Sequence, residues 1–182
     1  MQKSKGFVSA VMIVVSLAIG ACASTRTTKS AGEQVDDSVT TGRVKSALIA
    51  DPVTKAHQID VETFKGTVQL NGYVDSAAGK ERATTVAKNT TGVKSVQNNL
   101  SVRTVDRAAG QVVDDGVITS KVKAALTGDP RTKAHQVNVE THEGVVQLSG
   151  FVDTVEAKST AEQLAKQVDS VKSVDNELSV KK

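Results

Sequence analysis

The sequence predicts an α+β protein made of two tandem αββαβ domains, each a three-stranded sheet with two helices on one face. Three observations predict it. Residues 35–103 reappear as residues 113–181, always 78 positions later without insertion or deletion, and 38 of the 69 pairs are identical. A fixed period of this kind is the signature of one structural unit written twice. Within each copy, two short runs alternate apolar and polar residues around a glycine turn, the pattern of paired half-buried strands. Flanking those strands are runs whose apolar residues fall at i, i+3 and i+4, the pattern of one helical face.

Each copy opens with paired acids, Asp36-Asp37 and Asp114-Asp115, which suit the N-cap and first turn of a helix. Val44, Ala47 and Leu48, with Val122, Ala125 and Leu126, give that helix its buried face. Asp51-Pro52 and Asp129-Pro130 end it, because a residue before proline is pushed out of the helical region. The first strand follows through Ile59, Val61 and Thr63, matched by Val137, Val139 and Thr141. Phe64-Lys65-Gly66 and His142-Glu143-Gly144 supply the turn, with glycine accepting positive φ. A second strand runs through Val68, Leu70 and Val74, or Val146, Leu148 and Val152. Gly72 and Gly150 share that face, where a glycine often marks the close approach of another backbone or helix.

Asp75-Ser76 and Asp153-Thr154 precede the second helix. Its stripe is clear in the second copy (Ala157, Ala161, Leu164, Ala165, Val168) and weaker in the first (Ala83, Val86, Ala87). The last strand places Val96, Asn98, Leu100 and Val102 on one face, as it does Val174, Asn176, Leu178 and Val180. An asparagine among core valines requires a hydrogen-bonded partner, expected to be backbone.

Ahead of the repeat, Lys3 and Lys5 precede an apolar run from Phe7 to Ala21. The run has the length of a signal-peptide h-region and is too short for a spanning helix of about 20 residues. It ends in Ile19-Gly20-Ala21-Cys22, which resembles a bacterial lipobox, and Cys22 is the only cysteine. That resemblance implies cleavage before Cys22, diacylglycerol on its sulfur and acylation of the new amino terminus. Three acyl chains exceed the two signals that stable anchoring needs. Ala23-Ser24, with no Asp after the cysteine, implies transfer to the outer membrane in a Gram-negative cell. The expected organisation is a leader over 1–21, a lipidated tether over 22–34, domains at 35–103 and 113–182, and a linker over 104–112.

Composition narrows the function. Three Phe, one Tyr and no Trp leave a core of Val, Ala, Leu and Ile, a poor wall for a bulky cofactor. Once the leader with Lys3 and Lys5 is removed, the net charge falls from +3 to +1. The first domain has nine Lys/Arg against seven Asp/Glu and the second nine against eleven, so neither carries a nucleic-acid binder's field. His57 and His135 repeat and His142 does not, and no copy assembles the three or four ligands of a zinc site. Neither a nucleophile elbow nor a phosphate loop nor a dinucleotide fingerprint is present, so no enzyme activity and no cofactor are expected. The repeated lysines, Lys45/Lys123, Lys55/Lys133 and Lys94/Lys172, suit either lipid phosphate or an acidic partner, or a solvated surface.

The segments V-E-T-x-x-G-x-V-Q-L-x-G and V-x-S-V-x-N-x-L-S-V resemble the BON domain, the family named for bacterial OsmY and nodulation proteins. Val61, Gly66, Val68, Leu70, Gly72, Val93, Val96, Asn98, Leu100 and Val102, with their partners 78 further on, carry the match. Two copies behind a lipobox resemble the outer-membrane dual-BON lipoproteins. The resemblance implies a non-catalytic protein that supports envelope integrity under osmotic or other stress and binds anionic phospholipid. It implies docking by the first helix of the second domain, here Val117, Ile118, Lys121 and Lys123. That helix has no aromatic residue for the interface, and a basic residue near an anionic surface contributes only about 1 kcal/mol. The alternative is a periplasmic module, chaperone-like or scaffolding, that binds envelope proteins and meets the membrane only through its anchor.

Overall fold

The computed structural model describes residues 30–54, 59–103, 109–132 and 137–182, with side chains in the 109–128 helix described from Asp114 onward. Domain 1 comprises α1 (Ala31–Ala50), β1 (Ile59–Phe64), β2 (Thr67–Val74), α2 (Ala77–Lys88), β3 (Ser95–Asn98) and β4 (Ser101–Val102). Domain 2 comprises α3 (Ala109–Gly128), β5 (Val137–His142), β6 (Val145–Val152), α4 (Val155–Lys166) and β7 (Ser173–Val180). The central strand, β2 or β6, is antiparallel to β1 or β5 and parallel to the last strand. The predicted αββαβ order and α+β class hold in both copies. The leader, Cys22, His57 and His135 lie outside the described residues.

Two expectations at the start of each copy are corrected. α1 begins at Ala31, inside the segment assigned to the tether, with Ser30 as N-cap. A capping box fixes it: the Ser30 hydroxyl accepts from the Glu33 N–H, and the Glu33 carboxylate accepts from the Ser30 N–H at 2.9 Å. α3 likewise begins at Ala109, within the expected linker. The acidic pairs therefore sit inside their helices and cap nothing there. Asp37 and Asp115 are buried and face their own hairpin turns.

Those turns explain the placement. Lys65 and Gly66 take φ of 51° and 80°, as Glu143 and Gly144 take 53° and 81°, the double left-handed step of a two-residue hairpin. Such a turn leaves backbone donors aimed away from the ladder. The Asp37 carboxylate accepts from Lys65 N–H at 2.7 Å and Gly66 N–H at 2.8 Å. Asp115 accepts from Glu143 N–H at 2.9 Å and Gly144 N–H at 2.8 Å. At the other helix end, the Thr54 and Thr132 hydroxyls donate to the carbonyls of Leu48 and Leu126 and close the turns after Asp51-Pro52 and Asp129-Pro130.

Each core lies between the two helices and one face of the sheet. In domain 1 it joins Val44 and Leu48 to Val61, Val68, Leu70, Ala83, Ala87 and Leu100. In domain 2 it joins Ile118, Val122 and Leu126 to Val139, Val146, Leu148, Ala161, Ala165 and Leu178. Asn98 and Asn176 find the partners required of them, donating to the carbonyls of Lys80 at 2.7 Å and Lys158 at 3.0 Å. Val102, expected on the core face, is half exposed although it stays paired with Val74.

The second face of each sheet is not a solvent face. The two sheets pack face to face through Gln69 and Gln147, both buried. The Gln69 side-chain carbonyl accepts from Gly150 N–H at 2.7 Å, and that of Gln147 accepts from Gly72 N–H at 2.7 Å. Their amides donate to the backbone carbonyls of Glu177 and Asn99, at 2.7 Å and 2.8 Å. Each bond has its mate 78 residues away, so the two domains meet with pseudo-twofold symmetry, the self-complementary geometry of an isologous dimer. Gly72 and Gly150, at φ of 103° and 116°, take a backbone conformation L side chains rarely adopt, and present their N–H groups to the opposite domain. The expected close approach is therefore made by a glutamine side chain. Phe64 stacks on Phe151 at 5.4 Å and Tyr73 meets His142 at 4.7 Å, so every aromatic residue described lies in this interface.

Candidate membrane-facing site

On the far side of each hairpin turn, the first helix, the turn and the loop before the last strand enclose an open cleft. In domain 2 it measures about 320 Å³ and is lined by Asp114, Val117 and Lys121 from α3, Glu143 and Gly144 from the turn, and Asp169 and Lys172 from the loop. In domain 1 it measures about 310 Å³ and is lined by Asp36, Val39 and Arg43 from α1, Lys65 and Gly66, and Gly92 and Lys94. The clefts occupy equivalent positions. Asp37 and Asp115 form the floor, because the bonds that pin the turn also pin the helix against it.

Three of the four residues expected to dock lipid, Val117, Ile118 and Lys121, line the domain 2 cleft, and Lys123 does not. Val117 is about half exposed and lies beside Lys121, one helical turn on, at the cleft. Ile118 lines the cleft but is buried in the domain core, so it offers a docking partner little exposed apolar surface. Lys123 is exposed but sits two residues past Lys121, off the cleft. Lys172 and Lys94, singled out only as repeated lysines, do line the clefts. Their aliphatic stems cover the turns, since a Cβ at Gly66 would meet Lys94 Cγ and Cδ at 2.8 Å.

The clefts differ in charge. Domain 2 sets Lys121 and Lys172 against Asp114, Asp115, Glu143 and Asp169. Domain 1 sets Arg43, Lys65 and Lys94 against Glu33, Asp36 and Asp37. Two of those three acids are engaged: Asp37 by the turn N–H groups, Glu33 by Ser30. The hydrogen bonds from Ser30, first its backbone and then its hydroxyl, hold the Glu33 carboxyl below the usual range, and the charges of Lys65 and Lys94 add to that. Sequence reasoning missed the domain 1 cleft because the family resemblance pointed to domain 2. The signal available was the exchange of Lys65 for Glu143.

Among the described residues, no three His, Cys, Asp or Glu side chains are placed to hold a metal ion, and no helix is long and apolar enough to cross a membrane. His142 is buried in the domain interface, away from both clefts.

Two αββαβ units joined through their sheets, each with a cleft beside its first helix, define a tandem two-domain α+β protein. The BON domain pattern matches residues 36–104 and 114–182, and the chain belongs to the BON-domain family. It is similar to Osmotically-inducible protein Y of Escherichia coli (strain K12), 44% identical over 82% of this chain and 75% of that protein. It is similar to Outer membrane lipoprotein DolP of Haemophilus influenzae, 33% identical over 93% of this chain and 86% of that protein. A 21 kDa hemolysin of Actinobacillus pleuropneumoniae is 34% identical over 74% of this chain and 69% of its own length.

Proposed function

We propose that this protein is a non-catalytic envelope protein, anchored at the outer membrane through acyl chains on Cys22 and facing the periplasm. There it supports envelope integrity under osmotic stress and contacts anionic phospholipid. The observation that carries the reading is the relation to an outer-membrane lipoprotein over 93% of the chain, more than the two domains alone account for. The similarity to an osmotically inducible protein supports the stress role. Val117 and Lys121 at the domain 2 cleft, with Lys123 beyond it, are the lipid contacts in this reading.

The test is sedimentation of the mature chain, with Cys22→Ser to remove the acyl groups, against phosphatidylglycerol-rich and purely zwitterionic vesicles. Selective binding that weakens with salt supports the lipid contact, since exposed charges are screened within about 10 Å at 0.1 M. Absence of binding to both leaves Cys22 as the membrane contact. It then favours the second reading, a scaffold for envelope proteins, toward which the acidic domain 2 cleft already leans.

A further inference from the structure

We infer that domain 1 carries a second anionic-membrane contact, formed by Val39 and Arg43 of α1 with Lys65 and Lys94, and that this contact exceeds the one on α3. The inference rests on the phospholipid reading above and assigns its larger share to a surface the family resemblance does not point to.

Four observations carry it. Both clefts offer the same apolar element, Val39 or Val117, each about half exposed, so apolar contact does not distinguish them. Charge does. Three cations line the first cleft and two the second, whereas three acids line the first and four the second. The decisive exchange is Lys65 for Glu143 in the two-residue hairpin turn at the cleft, where the Lys65 ammonium also lies over the Phe64 ring, 5.6 Å from its centroid. Second, α1 continues the exposed apolar stripe: Val35 precedes Val39 and Arg43 at four-residue intervals and is 62% exposed. Third, domain 1 as a whole is positive and domain 2 negative, by the same nine cations against seven and eleven acids. Fourth, α1 starts nine residues after Cys22. Even fully extended at about 3.5 Å per residue, that leaves its first turn within roughly 30 Å of an anchored cysteine. Domain 1 is thus the domain the anchor presents first, and its cleft is the better match to an anionic surface.

The experiment exchanges the turn residue between the copies, so that those two substitutions install side chains the same fold already accommodates, and adds a charge reversal on α3. Lys65→Glu, Glu143→Lys and Lys121→Glu are made in the mature chain with Cys22→Ser. Each is titrated with phosphatidylglycerol vesicles at low salt, with circular dichroism as the folding control. Lys65→Glu is expected to weaken binding by roughly tenfold to thirtyfold, the effect of reversing one charge near an anionic surface. Glu143→Lys is expected to strengthen it by a comparable factor, and Lys121→Glu to cost only a few-fold. Loss of binding with Lys121→Glu while Lys65→Glu binds as the parent does would overturn the domain 1 assignment and leave the phospholipid reading standing. Failure of the parent chain to bind at all would remove both.

Discussion

The two domains answer the same structural problem with the same residues and then diverge where they meet their surroundings. Asp37 and Asp115, Gly66 and Gly144, Gln69 and Gln147, Gly72 and Gly150, Thr54 and Thr132, and Asn98 and Asn176 are identical pairs, and each satisfies the same backbone groups. Divergent pairs occur on exposed rims, and also at buried positions such as Thr40/Ile118, Phe64/His142 and Asn71/Ser149. Lys65 faces Glu143 across the repeat at the cleft, and the exposed Ile49 and Val53 of domain 1 are replaced by Thr127 and Arg131. Identity between the copies therefore marks the shared hydrogen-bonded frame, and difference marks the clefts, the rims and the aromatic part of the interface. The same contrast appears in the last strand. β7 pairs with β6 over its whole length, whereas domain 1 interrupts the strand where the Asn99 side chain donates to Asn71 at 3.1 Å. Ser149 and Glu177 occupy those positions in domain 2.

If the frame is shared, its loss should be felt equally in both copies, and the largest effect should come from the buried aspartates. Asp37→Ala and Asp115→Ala each leave two turn N–H groups without their carboxylate. A lost hydrogen bond to a charged group costs about 1.5–3 kcal/mol, so each variant is expected to lose about 3 kcal/mol in denaturant unfolding. Closely matched losses support a shared frame. A large loss in one copy and little in the other would break it, and would show that the turn in the insensitive copy is held by other means.

The frame was legible in the sequence to unequal depth. Periodicity gave the strands, the stripe of α4 and the core, because burial against a helix writes apolar residues at fixed spacing. It marked Gly72 and Gly150 for the approach of a backbone or helix, whereas a glutamine side chain of the other domain reaches them. Three features escaped it. The acidic pairs read as caps because Asp is a strong N-cap residue. Ser30 and Glu33 already supplied that function for α1, which freed Asp37 to serve a turn 28 residues away. Gln69 and Gln147 alternate with core residues and so read as solvent-facing. Glutamine on a strand carries no mark of whether water or a second sheet satisfies it. Ile118, expected beside Val117 at the surface, lines the cleft but packs into the core, because adjacent helical positions do not share a face. The aromatic scarcity was visible, but not that the remaining rings are gathered between the domains.

The interface offers a finer comparison. Gln69→Ala would orphan the Gly150 N–H and the Glu177 carbonyl, and Gln147→Ala the Gly72 N–H and the Asn99 carbonyl. Buried unsatisfied groups cost about 1–3 kcal/mol, so a loss of about 2 kcal/mol is expected for each. Gln69 also accepts from the Asn71 amide and donates to Ser179, so its variant should be the more damaging of the two. The readout is separation of one unfolding transition into two as the domains uncouple. Equal effects, or a single transition in both variants, would mean that the stacked Phe64–Phe151 pair and the tilted Tyr73–His142 pair hold the sheets together without the glutamines.

The smallest expected difference lies at the ends of the first helices, where the same aspartate is served by different partners. Arg131 holds the Asp129 carboxyl down to about 2, chiefly through its side-chain hydrogen bond and then through its backbone N–H. Asp51 is also held below its usual value, but there the Val53 backbone N–H leads, and Arg82, reaching over from α2, comes second. The unfolded chain titrates near the ordinary value of 3.8. The folded carboxylate is thus favoured, and its contribution to stability is present above that value and lost as pH falls from about 4 toward 2. Both arginines are about half exposed, so the expected readout is the midpoint followed by carboxyl NMR rather than a change in unfolding energy. Arg131→Ala should raise the Asp129 midpoint markedly, because its leading cause is a side chain. Arg82→Ala should move Asp51 less, because its leading cause is backbone. Equal shifts would mean that the guanidinium charge, and not the hydrogen-bond geometry, sets both titrations, and the two helix ends would then be equivalent despite their different sequences.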